Sequence, residues 1–307
     1  MRIVALAGGV GGAKLSDGLA QILPAADLTV IVNNGDDFEH LGLVICPDLD
    51  TVCYTLAGLA NPETGWGRLG ETFHILESLH LLGGPDWFKL GDLDLATHLE
   101  RSRRLREGQP LSQITHDFCR TWNVPQAILP MSDQPVRTLV QTADQGELPF
   151  QEYFVHRQCE PVVKGFRFAG IEAARPAPGV LEAIERSDAV VICPSNPWVS
   201  INPILALNGI RAALSRKKVV AISPIIAGKT VKGPAAKMYA ELGIQPSALA
   251  VAQHYGSLLS AFILDVQDSP LANDIEIRTC LTDILMRSRM DRRRLAQDVL
   301  DCIQRLS

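Results

Sequence analysis

The chain has 307 residues, of which 47% are hydrophobic and 21% charged, with a formal net charge of −5. That length suits one large domain or two smaller ones around a full core. No apolar run reaches the roughly 18 residues a membrane-spanning helix needs, and the acidic balance argues against a general nucleic-acid binder.

In chain order, Arg2–Ala7 is predicted as a buried strand that runs straight into a glycine segment, so the short apolar start does not read as a signal peptide. A helix follows from about Ala13 to Ile22. Leu28–Asn33 is a second buried strand, rich in β-branched residues. Asp48–Leu59, Glu71–Leu82, Leu93–Arg106 and Leu111–Trp122 have helical spacing. Arg101, Arg103, Arg104 and Arg106, beside Glu100 and Glu107, read as a solvated helix face.

Val136–Thr142, Phe150–His156 and Gly165–Phe168 are expected as short strands of an irregular insertion covering roughly residues 60–175. Alternation then resumes: Val180–Arg186, Pro203–Leu214 and Ala235–Leu242 as helices, with Ala189–Cys193, Val219–Ser223 and Leu249–Ala252 as strands. The expected fold is α/β, a Rossmann-like, mostly parallel sheet with helices on both faces, built as a single domain over residues 1–307. Ligands of such sheets bind at the carboxyl ends of the strands, so the loops after Ala7, Asn33, Cys193 and Ser223 should share one rim. The seven cysteines show no CxxC pair and no repeated spacing. That is the pattern of a reduced, cytoplasmic protein, with neither a disulfide frame nor a zinc site.

The first loop, Gly8 to Lys14, has the glycines that let backbone amides approach phosphate oxygens at a helix start. Gly9, Gly11, Gly12 and Lys14 are its candidate phosphate contacts, although Lys14 reads equally as a solvated first-turn lysine. It is neither a P-loop, because Ala13 and Leu15 flank Lys14, nor a dinucleotide fingerprint, because Lys14 stands where the third glycine belongs. After the second strand come Asp36 and Asp37, and then Pro47-Asp48-Leu49-Asp50 at a helix start. One of Asp48 and Asp50 is expected to cap the helix. Asp50, with Asp37, is then a candidate to hold magnesium through carboxylates and phosphate oxygens.

Trp87, Phe88 and Lys89 could border a flat ring system, with Asp92 as the cap of the next helix and His98 a structural residue within it. Ser195 and Asn196 should face the rim after a proline-stopped strand. Lys229 and Lys232 flank a glycine–proline turn and can neutralise phosphate charge. Neither Ser195 nor Ser223 sits in a nucleophile elbow.

As a set, GGVGGAKL (8–15), NNGDD (33–37), PDLDTV (47–52), WGRLGETF (66–73), KLGDLDLATH (89–98), ILPMSDQPVRT (128–138), PSNP (194–197) and SPIIAGKTVKGPAAKM (223–238) resemble the 2-phospho-L-lactate transferase family of coenzyme F-420 synthesis. They span most of the chain in the family's order. The resemblance implies a guanosine diphosphate ester of lactate or a related three-carbon acid, such as phosphoenolpyruvate, as donor. The hydroxyl of the deazaflavin FO is the implied acceptor, GMP leaves, and Mg2+ is required. It also implies that Asp50 and Lys89 contact the deazaflavin. Asp50 could be a metal ligand or could help deprotonate the acceptor hydroxyl.

The expected partners are therefore these small molecules, with no nucleic acid and no membrane; a homodimer is compatible with this reading. Two rivals stand beside it. One is a nucleotide-sugar-binding regulator of the sister family, for which the NNGDDFEHLGL segment is the wrong loop. The other is a dinucleotide-dependent oxidoreductase, disfavoured by Lys14.

Overall fold

A computed structural model describes residues 1–306. Seven strands form one sheet: β1 (Ile3–Ala7), β2 (Leu28–Val32), β3 (Ala127–Pro130), β4 (Ala189–Ile192), β5 (Lys218–Ile222), β6 (Ala261–Asp265) and β7 (Arg278–Thr282). Their order is β7-β6-β5-β4-β1-β2-β3, and every neighbouring pair is parallel. A parallel sheet is covered on both faces, which is why β1 can be apolar throughout. Its residues alternate between two cores. Ile3, Ala5 and Ala7 join the one formed with helices Gly9–Ala20, Pro47–Leu56 and Arg289–Gln304, while Val4 and Leu6 join the one formed with Val180–Arg186, Ile210–Leu214 and Ala248–Tyr255.

The chain runs one way from β1 to β3 and the other way from β4 to β7. The sheet therefore changes direction between β1 and β4, where open α/β sheets bind ligands. The β2–β3 crossover carries the hairpin Phe38–His40/Leu43–Ile45 and four helices, among them His74–Leu81, Asp92–Arg106 and Leu111–Thr121. The β3–β4 crossover carries a three-stranded antiparallel sheet centred on Arg137–Thr142. The stretch 60–175, read as one insertion, is interrupted by β3, which belongs to the central sheet. Among the described residues no helix is long and apolar enough to cross a membrane.

Several expected elements differ. The first helix starts at Gly9 rather than Ala13, so the glycines form its first turn. Phe150–His156 is not a strand: Glu152–His156 is helical, and Phe150 and Tyr153, three apart, are buried together. Leu249–Ala252 lies in the helix Ala248–Tyr255, started by Ser247, whose side chain accepts the Ala250 N–H; the strand comes later, at β6. Pro203–Leu214 breaks into two short helices at Gly209, whose φ is +87°.

The cysteine reading is also corrected. Cys280 and Cys302, 22 residues apart, form a disulfide between β7 and the last helix. Their Cα atoms stand 6.6 Å apart because that helix packs back on the sheet edge, a proximity that sequence spacing does not carry.

The last helix also lies tightly on the first. A Cβ placed on Gly18 would stand 2.1 Å from the Arg292 carbonyl oxygen. Backbone cannot yield as a flexible side chain does, so Gly18→Ala is expected to cost ~1–3 kcal/mol through overpacking. Thermal unfolding checks this, and an unchanged Tm would show that the two helices separate freely.

Candidate functional site

The loops after β1, β2 and β4 meet at the carboxyl rim where the sheet changes direction. Asn33, just past β2, knits them together. Its N–H donates to Ala7 O (2.9 Å), and its side chain donates to Asp48 Oδ2 (2.9 Å) and Val199 O (3.3 Å). Ser195 Oγ donates to Gly8 O (2.8 Å) and accepts the Gly8 N–H (3.1 Å). Its hydroxyl is thereby committed to holding the glycine turn. Asn196 caps the next turn by accepting the Trp198 N–H (3.0 Å), and its amide donates to Met238 Sδ (3.3 Å).

The glycines have distinct tasks. Gly9 adopts φ +61°, open to glycine at little cost. Gly11 and Gly12 allow close packing: a Cβ would stand 2.2 Å from Pro194 O in the first case and 2.9 Å from Ala7 Cβ in the second. Lys14, half-buried in the helix, donates to Met286 O (3.0 Å). Burial lowers its pKa, and the charges of Arg292 and Lys232 push the same way.

The two aspartates of PDLD part company. Two positions apart on a helix, their side chains project to nearly opposite sides. Neither makes a side-chain cap for its own helix, whose N-cap is Cys46. Asp48 turns to the glycine turn, so close that a Cβ on Gly8 would stand 2.6 Å from its Oδ2. Asp50 turns the other way and meets Arg101 in a two-pronged ion pair, Nη1 to Oδ2 at 3.0 Å and Nη2 to Oδ1.

Behind Arg101 stand His98, whose Nδ1 is 3.2 Å from Nη1, and Asp94, whose Oδ1 is 3.4 Å from His98 Nε2 and accepts the Tyr54 hydroxyl at 2.7 Å. Asp50, Asp94 and His98 also form a group with metal-ligand spacing. Burial works against ionised Asp94, yet the hydrogen bond and charge of His98 hold it below the usual carboxylate range.

Arg101 corrects the reading of the basic cluster. It is 2% exposed, whereas Arg103 pairs on the surface with Glu100 and Glu107. The spacing of Asp94, His98 and Arg101, four and three apart, sets them on one helix face; this is the signal that could have found them. Asp92 is likewise not the cap of its own helix. It accepts the N–H groups of His74 and Ile75 at the start of the preceding helix, while Glu71, just before that helix, accepts those of Leu93 and Asp94.

Asp36 and Asp37 are buried with Asp48. Asp36 Oδ1 and Asp37 Oδ1 have no hydrogen-bond partner. Burial pushes Asp37 up to about 7, against a hydrogen bond from Cys46 and the charges of Arg137 and Arg101. Burial also pushes Asp48 up to about 6, and burial with the charge of Asp48 holds Asp36 well above the usual range. Unpartnered buried carboxylate oxygens fit a hard divalent cation. Asp37 offers such an oxygen, while both oxygens of Asp50 face Arg101.

Lys89 is exposed at the edge of an aromatic group. In that group Trp87 stacks on His156 at 5.0 Å and meets His40 edge-on at 5.1 Å, and Phe88 meets Phe38 at 4.9 Å. A cavity of about 440 Å³ lies elsewhere, at the amino ends of the strands beside Arg2 and Arg186, and one of about 260 Å³ lies beside Cys280–Cys302. Neither reaches the rim.

The fold and rim define an α/β protein with a parallel sheet whose candidate ligand site lies at the switch point. The model of 2-phospho-L-lactate transferase CofD matches residues 3–304. The phosphoenolpyruvate transferase of Streptomyces griseus is 48% identical, covering 90% of this chain and 89% of that protein. The 2-phospho-L-lactate transferase of Methanosarcina acetivorans is 41% identical, covering 97% and 98%. A UPF0052-family structure from Bacillus halodurans shares the fold, with TM-score 0.65, 16% identity, and 97% and 98% coverage. The chain belongs to the 2-phospho-L-lactate transferase family. It is a transferase of coenzyme F-420 biosynthesis.

Two outcomes follow from the buried charges. Asp37 has an ordinary value of 3.8 and a folded value of about 7. Between these the folded state binds more protons than the unfolded chain, so its contribution to stability falls as pH rises through that window. Asp37→Asn should flatten the decline between about pH 4 and pH 8 by ~2–4 kcal/mol, read from denaturant unfolding across pH; a slope like that of the unaltered protein refutes it. Arg101→Met strands the Asp50 charge and should cost ~3–5 kcal/mol. Combining it with Asp50→Asn should cost less than the sum of the two single changes.

Proposed function

We propose that the enzyme moves a phospho-acyl group from a guanosine diphosphate ester to the hydroxyl of the deazaflavin FO and releases GMP. The observation that carries this reading is the division of the rim into two chemically different halves. On one side are the glycine helix start and the cations Lys14 and Lys232, suited to a diphosphate. On the other are Asp50 and the aromatic group ending at Lys89, suited to a flat ring with polar edges. The relatives' names, phosphoenolpyruvate transferase and 2-phospho-L-lactate transferase, support a three-carbon acid on the donor. We take enolpyruvyl as the preferred one, after the relatives that share 45–48% identity.

In this reading the acceptor oxygen bonds to the phosphorus that carries the acid, the bond from that phosphorus to the GMP oxygen breaks, and the hydroxyl proton passes to solvent water. Displacement at phosphorus depends on neutralised equatorial oxygens and in-line end oxygens. Lys14 and Lys232 contribute positive charge on the donor side. Asp50, oriented by Arg101, accepts a hydrogen bond from the acceptor hydroxyl and orients it. Magnesium would be held by Asp37 with Asp36 or Asp48 beside it, and when bound would supply further charge against the phosphate oxygens. Ser195 acts by fixing the Gly8 turn. The site works in the cytoplasm on small molecules alone.

With magnesium, FO and a guanosine diphospho-enolpyruvyl donor, the purified protein should form an FO phosphodiester and GMP. The lactyl and glyceryl donors should be slower. Chromatography of GMP reports this, and no GMP with any of the three donors sinks the assignment. Lys89→Ala should raise KM for FO about tenfold to a hundredfold, the effect of losing a charged hydrogen bond of roughly 1.5–3 kcal/mol, with the donor KM unchanged. A rise in donor KM instead would exchange the two halves of the site.

A further inference from the structure

The bond between Cys280 and Cys302 lies at an edge of the sheet. β7 is the end strand and pairs with β6 on one side only. The bond ties this strand to the last helix of the fold. A polar cavity of about 260 Å³ opens beside it, lined by both cysteines, by Arg278 and Arg305, and by Asp298 and Asp301. Cys280 is partly exposed and Cys302 is buried. The other five cysteines are free. Among them Cys53 and Cys119 bring their sulfurs to 3.6 Å without a bond, and both are buried. The bonded pair is thus the pair that a thiol reagent can reach.

The loop closed by the bond spans residues 280–302. It contains contacts by which the end of the chain holds the glycine helix. Lys14 donates to Met286 O (3.0 Å), Arg292 Nη1 donates to Asp17 Oδ2 (3.2 Å), and the Arg292 carbonyl faces Gly18. Leu295, Ala296, Val299 and Ile303 anchor the last helix in the core independently of the bond. The bond adds to them by restricting the unfolded chain and by fixing both ends of this loop. Opening it slackens the support behind the glycine helix and leaves the fold standing.

We propose that Cys280–Cys302 is a reversible redox staple that sets how firmly the last helix supports the glycine helix. In a reducing compartment an accessible bond of this kind is usually transient or redox-sensing. A thiolate of a dithiol reductant attacks the Cys280 sulfur from the cavity, the S–S bond breaks, and Cys302 leaves as a thiolate that takes up a proton. The second thiolate of the reductant then attacks the mixed disulfide and releases Cys280, which takes up the other proton. The protein gains two electrons and two protons, and the reductant leaves as its own disulfide. The charged lining of the cavity keeps the departing thiolate hydrated. None of this depends on the reaction proposed above.

The test uses the full-length protein equilibrated without denaturant in graded ratios of reduced to oxidised dithiothreitol. Trapping with iodoacetamide and peptide mass spectrometry should show one reversible transition, at Cys280 and Cys302 and at no other cysteine. Reduction should lower Tm by about 4–8 °C. It should also speed amide exchange in residues 283–292 and in the helix Gly9–Ala20, while β1 and β4 keep their rates. The double variant Cys280→Ser, Cys302→Ser should match the reduced protein in every buffer. Absence of a linked Cys280–Cys302 peptide under oxidising conditions overturns the proposal. A bond that dithiothreitol opens only after unfolding also overturns it, since the staple is then permanent. So does reduction that leaves both Tm and exchange unchanged.

Discussion

The structure depends on one close approach. The helix Gly9–Ala20 enters the gap where the sheet changes direction, pressed against the β4 loop at Gly11, against β1 at Gly12 and against the last helix at Gly18. Side chains at these positions would hold the helix off by more than the packing tolerates. Because it lies so deep, its first turn meets Asp48 on one side and the Ser195 hydroxyl on another, and Lys14 reaches the segment before the last helix. The site is the consequence of this packing, and glycine's weak helix propensity is overridden by it.

Around that helix start the charged groups are concentrated, with Arg101 and Arg137 bearing on Asp37 and Asp17 paired with Arg292. Carboxylates gather on the β2 side: Asp36, Asp37 and Asp48, with Asp50 beyond. Cations gather toward the last helix and the loop after β5. Burying these carboxylates costs stability in the absence of ligand, since they lose their hydration. The raised values of Asp37 and Asp48 express that cost. Natural sites hold such arrangements where a ligand of opposite charge completes them.

Asp50 differs from its neighbours because its charge is answered inside the protein. The chain Asp50–Arg101–His98–Asp94–Tyr54 runs from the rim into the packing between helices Pro47–Leu56 and Asp92–Arg106. Arg101 meets the carboxylate with both nitrogens, so its orientation is set by geometry as well as charge. A carboxylate held this way suits the placing of a hydroxyl better than the shuttling of a proton.

The parallel sheet, its two-sided burial and the rim were legible in sequence, because apolar runs bounded by glycine and proline carry their meaning locally. So were the glycine turn and the presence of acids at the rim, and family membership followed from motifs in a fixed order. What lay beyond was decided by contacts between distant residues. Asp48 and Asp50 are indistinguishable as letters; only the helix azimuth sends one to Gly8 and the other to Arg101. Arg101 looks like its surface neighbours until the hairpin Phe38–Ile45 and the helix Pro47–Leu56 cover it. Ser195 reads as a ligand donor until Gly8 claims both its bonds. Lys232 and Thr64, like Cys280 and Cys302, are joined by chain reversals, and a sequence read along its length records no distance across one.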